Sequence, residues 1–189
     1  PGVGFKKHPS NYFTHRPIDA ALALRREHGI QAERIDRVAI RFPNFQYVNR
    51  PNPATGLDGK FSIQYATLIA LLDGEVTVDS FTNERRFADD VKALLPRVEF
   101  QVDAAIPEDF DQTYAVVTVT LKDGRSVQKK VDTLTGWCGH PLSREERLKK
   151  FHSCVRRRLS SAAADELLQL VERLETLDNV DRMMTLVRC

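Results

Sequence analysis

Residues 60–74 read Lys60-Phe61-Ser62-Ile63-Gln64-Tyr65-Ala66-Thr67-Leu68-Ile69-Ala70-Leu71-Leu72-Asp73-Gly74. The pattern predicts a helix that starts near Lys60 and is closed by Asp73-Gly74. Beyond Gln64 it is apolar almost all the way round, and a helix without a polar face belongs in the middle of a fold. The mostly apolar stretch from Tyr65 to Leu72 is far shorter than the ~20 residues a bilayer needs, so a membrane-spanning role is excluded.

Upstream, Thr14-His15-Arg16-Pro17 opens an earlier helix. Thr14 or His15 suits the cap, Pro17 suits an early helical position, and Ile18, Ala21, Leu22 and Arg25 share a face until Gly29. A strand over residues 35–40 ends at Phe42-Pro43. Residues 43–59, punctuated by Pro43, Pro51, Pro53, Gly56 and Gly59, make a long loop of a kind that is usually functional or disordered. Downstream, an amphipathic helix is expected from Asn83 to Leu95, with Phe87, Val91, Leu94 and Leu95 on its face. Strands follow at Val98–Val102, Tyr114–Leu121 and Arg125–Val131, the last two joined by the hairpin signal Lys122-Asp123-Gly124. Ser143 and Glu146 form a capping box for a helix to about Val155, Ser160 or Ser161 starts another, and Asp178–Val187 makes a last one. The expected fold is α+β, a mostly antiparallel four-stranded sheet with packed helices.

The 189 residues fit one ordinary domain or a domain with a helical appendage, and 42% hydrophobic residues supply a core. Lys and Arg number 28 against 26 for Asp and Glu, a net charge of +2 that is too balanced to argue for nucleic acid or an anionic membrane surface. The run Arg156-Arg157-Arg158 reads as a solvated helix end. Three cysteines without a Cys-x-x-Cys, and no secretory segment in the sequence, point to a reducing cytoplasm. The opening Pro1-Gly2-Val3-Gly4 lacks a methionine, so a piece of something longer is expected.

Three constellations carry chemistry. Residues 5–15 pack Lys6, Lys7, His8, Asn11 and His15 ahead of a helix start, where unpaired N–H groups and cationic side chains welcome a carboxylate; the same residues also read as a polar linker with a capping Thr. In Lys60-Phe61-Ser62-Ile63-Gln64-Tyr65, Ser62 and Tyr65 share a helix face. The buried phenol either bonds a neighbouring carbonyl or serves as a proton donor or acceptor beside a Lys. Cys138-Gly139-His140-Pro141 offers a Cys and a His without a third partner, too few ligands for zinc.

At these residues the chain resembles the second half of the MmgE/PrpD family, which contains 2-methylcitrate dehydratase, cis-aconitate decarboxylase and iminodisuccinate epimerase. The likeness rests on Lys6-Lys7-His8-Pro9 leading to Thr14-His15 and Ile18-Asp19-Ala20-Ala21. It rests more strongly on Lys60-Phe61-Ser62-Ile63-Gln64-Tyr65 followed by Leu71-Leu72-Asp73-Gly74 and Asp79-Ser80-Phe81. Gly139-His140-Pro141 and Lys150-Phe151 match the family's closing segment more loosely. The sequence departs from the family at Lys7-His8, where Pro-Tyr is usual, leaving a register choice between Lys6 and Lys7, and at Leu142-Ser143, where Asn-Pro is common.

The resemblance implies a C-terminal α+β domain over residues 1–189, similar to a chorismate mutase-like lid, with residues ~156–189 as a helical appendage packing on an absent N-terminal helical domain. It implies catalytic roles for Lys6, His15 and Tyr65 and substrate-binding roles for Asn11 and Lys60. The expected activity is that of a lyase on a small di- or tricarboxylate, through proton abstraction next to a carboxylate. No metal, nucleotide or flavin is required, so no cofactor is expected. The isolated piece is expected to be inactive, and a homodimer is the expected assembly. An epimerase or isomerase shares the proton abstraction, and a non-catalytic interaction or ligand-sensing domain is the reading from another class.

Overall fold

The computed structural model describes residues 3–188 and divides them into two compact units, 3–142 and 143–188. The first unit carries the sheet. Its elements run α1 (His15–His28), β1 (Ile35–Phe42), α2 (Ile63–Asp73), α3 (Asn83–Arg86), α4 (Asp89–Leu94), β2 (Val98–Val102), β3 (Ala115–Leu121) and β4 (Ser126–Val131).

The strand order is β2-β1-β3-β4. β1 pairs antiparallel with β3, and β3 antiparallel with β4, but β1 and β2 run parallel, with Val38 opposite Val98 and Ile40 opposite Phe100. The sheet is therefore mixed, and the expectation of a mostly antiparallel one is corrected. The reason is connectivity. A hairpin makes antiparallel neighbours, whereas the long helical excursion through α2, α3 and α4 returns the chain alongside β1 in the same direction.

Along β1, Ile35, Val38, Ile40 and Phe42 are buried while Asp36, Arg37, Ala39 and Arg41 are more open, so one face is covered and the other is not. α1 packs on β3, β4 and α2, and α2 packs on β2 and α4. α2 is buried from Ile63 to Leu72, as its unbroken apolar sequence requires. Its last carbonyls, Leu71 and Leu72, accept from the Arg25 guanidinium of α1, and Gly74 closes it at φ 74°.

Two elements differ from their sequence pattern. The helix expected to start near Lys60 starts at Ile63, because residues 58–61 form a 3-10 turn and Ser62 is the cap, accepting from the Tyr65 N–H. The helix expected over 83–95 is split at Phe87-Ala88, and Phe87 turns out to be half exposed.

The second unit holds α5 (Arg144–Val155), α6 (Ser161–Glu172) and α7 (Asp181–Val187). Ser143 and Glu146 close the expected capping box on α5, and Ser160 caps α6. Arg182 grips Glu166 with two bonds of 2.5 and 2.7 Å, and Arg144 bonds Glu172 at 2.6 Å. Arg156, Arg157 and Arg158 lie exposed past the end of α5. No helix among the described residues is long and apolar enough to cross a membrane.

If α2 is the pillar of the core, Leu68→Ala in the intact protein lowers unfolding stability by ~2–5 kcal/mol. Leu57→Ala, at a position 62% exposed, changes it by less than ~0.5 kcal/mol. Urea denaturation midpoints check the pair.

Candidate active site

The first group of side chains is built by residues 6–19. Asn11 organises it: its Oδ1 accepts from Phe13 N at 3.0 Å and opens the 3-10 turn Tyr12–Thr14, while its carbonyl accepts from Thr14 N and Thr14 Oγ1 at 3.0 and 2.7 Å. Thr14 thus spends its hydroxyl on the turn and on Ser10 Oγ at 2.7 Å, and makes no side-chain cap for α1. Asn11 N donates to the carbonyl of Lys60 at 2.9 Å, which ties this block to the second motif.

Four residues after His15, Asp19 stands one turn further along α1. Its Oδ1 accepts from His8 Nε2 at 3.0 Å and from Lys7 Nζ at 3.1 Å. Burial pushes the Asp19 carboxyl up, but the hydrogen bonds and charges of His8 and Lys7 outweigh it and hold the pKa below the ordinary carboxylate range.

His15 is 1% exposed, and neither of its ring nitrogens hydrogen-bonds any described residue. Burial first, and the charge of His8 second, push its pKa down to about 3, with Asp19 opposing. Its ring meets the His8 ring edge to face at 5.2 Å and the Tyr12 ring at 4.9 Å. Lys6 Nζ donates to the Ser10 carbonyl at 3.1 Å and lies 5.1 Å from the centre of the Tyr12 ring. The Tyr12 hydroxyl is buried without a hydrogen-bond partner among the described residues, and burial raises its pKa. Trp137 and Phe110 pack on the same ring at 5.5 and 6.0 Å. Lys6 and His15 therefore flank one aromatic ring.

The second group surrounds Tyr65. Its hydroxyl donates to the Ser80 carbonyl at 2.6 Å, and burial pushes its pKa up to about 12. Gly59 sits against the ring, where a Cβ would come within 2.5 Å of Tyr65 Cδ1. The Arg86 guanidinium lies 5.9 Å from the ring centre and is held by Pro53 O and Asn52 Oδ1 at 2.9 and 2.7 Å. Lys60 Nζ lies 5.8 Å from the Phe81 ring, which is 6.1 Å from that of Tyr65. The structure thus sets Lys6 and His15 against one ring and relates Lys60 to Tyr65 only through the Phe81 ring between them. It gives the Tyr65 hydroxyl to a main-chain carbonyl, and links the two groups through the Asn11–Lys60 main-chain bond. Of the third motif, Cys138 and His140 are exposed, and Cys138 is a free thiol.

Sequence reasoning missed Arg16. It is 2% exposed and donates to Asp132 O at 2.9 Å and Phe110 O at 3.0 Å, pinning two loops to the start of α1. Burial lowers its pKa, and Nη1 has no hydrogen-bond partner among the described residues. Its signal was a charged residue in the first turn of a helix whose neighbours Pro17 and Ile18 are apolar.

The model of the MmgE/PrpD C-terminal domain matches residues 8–176, most of the chain. The chain belongs to the MmgE/PrpD family. Among curated relatives it is 34% identical to cis-aconitate decarboxylase of Mus musculus and 35% identical to cis-aconitate decarboxylase of Homo sapiens, in each case over 98% of this chain. It spans 39% and 40% of the length of those relatives. Within the MmgE/PrpD C-terminal domain, the match covers His8, Asn11, His15, Lys60 and Tyr65 and begins two residues after Lys6.

Two stability effects follow for the intact protein. His15 keeps a pKa of about 3 when folded against 6.5 ordinarily, so below pH ~6.5 the unfolded chain binds a proton that the folded chain does not. Stability then falls by up to about 1.4 kcal/mol per pH unit as pH drops through that window, and the depressed pKa of Asp19 adds a further loss at its acidic end. His15→Gln flattens the slope between about pH 6 and 4, measurable by urea denaturation across pH. Tyr65→Phe leaves the Ser80 carbonyl without its donor and costs ~1–3 kcal/mol in the same assay.

Proposed function

We propose that this chain is the C-terminal part of a cofactor-independent lyase that takes a small di- or tricarboxylate and reacts it at the carbon next to a carboxylate. The observation that carries the reading is the meeting of Lys6 and the buried, uncharged imidazole of His15 on the Tyr12 ring. That the relatives are cis-aconitate decarboxylases supports the substrate class and favours decarboxylation over dehydration.

In this reading the C–C bond to one carboxylate breaks, carbon dioxide leaves, and the carbanion takes up a proton. The barrier lies in the negative charge that builds next to the remaining carboxylates. The Lys6 ammonium, with Lys60 adding charge, stabilises it where it develops, usually the largest catalytic contribution. With its pKa of about 3, His15 is neutral near pH 7 and has both a lone pair and an N–H to offer for proton transfer. Tyr65, raised to about 12, stays protonated; its single O–H bonds Ser80 O here, so it acts as a donor to the substrate only on leaving that carbonyl. Asn11 shapes the turn that presents Lys6 and His15. The remaining groups come from the preceding helical domain, against which residues ~156–189 pack while the α+β unit acts as a lid similar to chorismate mutase. The reading includes a cytoplasmic homodimer and an inactive isolated chain.

The test uses the intact protein and cis-aconitate. Lys6→Ala is expected to lower kcat by ~10²–10³-fold, and residues 1–189 alone are expected to give no turnover. Unchanged turnover in the variant contradicts the role of Lys6. Chiral chromatography that finds an epimer and no carbon dioxide moves the protein to the isomerases.

A further inference from the structure

His8 lies outside every role assigned so far. It is 4% exposed, yet it is a polar ring in a segment that runs over the start of a helix. Burial of an imidazole calls for a partner, and the structure supplies one in the Asp19 carboxylate at 3.0 Å. A carboxylate in its charged form only accepts, so the hydrogen in that bond sits on His8 Nε2. This fixes both the tautomer of His8 and the plane of its ring, as a carboxylate does for any imidazole it holds. Asp19 is itself immobilised, being part of α1 and also bonded by Lys7 at 3.1 Å.

The held ring meets His15 edge to face, at 5.2 Å and 73°. Tyr12 also packs on His15, at 4.9 Å and a 39° tilt. His15 makes no well-formed hydrogen bond to a described residue, so packing against the His8 and Tyr12 rings is the main constraint on its orientation, with a weaker pull from the Ser10 backbone. That is an unusual way to hold a buried histidine. It leaves both nitrogens uncommitted though buried, at the cost of a ring that turns unless its neighbours are rigid.

We propose that Asp19 and His8 form a positioning dyad for His15, holding its ring edge-on so that its nitrogens meet the substrate in one orientation. This rests on the lyase reading for its substrate and adds a residue to it. His8 acts through His15 and not on the substrate. Burial is the main influence that keeps His15 uncharged, and His8 adds to it whenever it is protonated. The titratable groups around His15 are His8 and Lys6 from the preceding segment, Tyr12 from the turn, and Asp19 from α1.

The experiment compares His8→Phe, Asp19→Asn and the double variant in the intact protein. Turnover of cis-aconitate is followed across pH, with imidazole nitrogen shifts of ¹⁵N-histidine read in parallel. His8→Phe keeps a ring of similar size but loses the bond to Asp19. Each single variant is expected to lower kcat ~10-fold with KM changed less than ~2-fold, and the double variant to be no worse than the poorer single, because one unit is broken in all three. The acidic limb of the pH profile moves to higher pH in His8→Phe, and the His15 nitrogen shifts move from their wild-type values as the ring loses its fixed surroundings. Additive losses, or His15 shifts and an acidic limb identical to wild type, overturn the dyad. If the wild-type protein turns over no polycarboxylate, the lyase reading fails separately, and the nitrogen shifts of His15 still decide whether His8 and Asp19 position it.

Discussion

A carboxylate largely withdrawn from water needs compensation, and Asp19, with a side chain 15% exposed, obtains it from two residues that precede its own helix. His8 and Lys7 converge on a single oxygen, so the segment before α1 is folded back over the first turns of the helix instead of extending away from it. Once that return is fixed, Lys6, Tyr12 and His15 have little freedom left. The Asn11 turn, with its Oδ1 and carbonyl both occupied, makes the reversal possible, and the Asn11–Lys60 bond passes the constraint to the start of α2.

The result is a region where polar atoms are buried without being fully satisfied. Among the described residues, His15, Tyr12, Arg16 and Thr113 each contribute at least one such atom, and His15, Tyr12 and Arg16 all lie at or just before the first turn of α1. Each lacking partner costs ~1–3 kcal/mol, so a protein concerned only with stability would have replaced some of them by apolar residues. Their persistence beside a Lys fits a surface shaped for a polar, anionic molecule. The surroundings supply the rigidity: α1 lies against α2 and the sheet, and Arg25 ties its far end to the last carbonyls of α2.

Much of this frame was legible in the sequence because the signals are local. Gly29 ends α1, Gly124 at φ 86° turns the β3–β4 hairpin, and Ser143 with Glu146 begins α5, each by a rule that spans only a few residues. What escaped depends on partners far apart in the chain. The parallel pairing of β1 and β2 joins residues 60 positions apart, Val38 with Val98, and no period within either strand announces it. Ser62 carries the same hydroxyl whether it lies in a helix or caps one, so only the turn at 58–61 settles its role. At the site, Lys6, His15 and Tyr65 could be named from the family likeness, but the partner of Tyr65 is a main-chain carbonyl, Ser80 O, which carries no side-chain signature. The role of Asp19 needed a three-dimensional meeting with His8, eleven positions away, although one helical turn from His15 was readable from spacing alone.

The central claim is that residues 6–19 assemble a carboxylate-recognising surface at the start of α1. A crystal structure of the intact protein with a bound tricarboxylate tests it most directly. The account predicts one ligand carboxylate within hydrogen-bond distance, ~3 Å, of Lys6 Nζ or a nitrogen of His15. A ligand held wholly by other residues, with none of 6–15 touching it, contradicts the account.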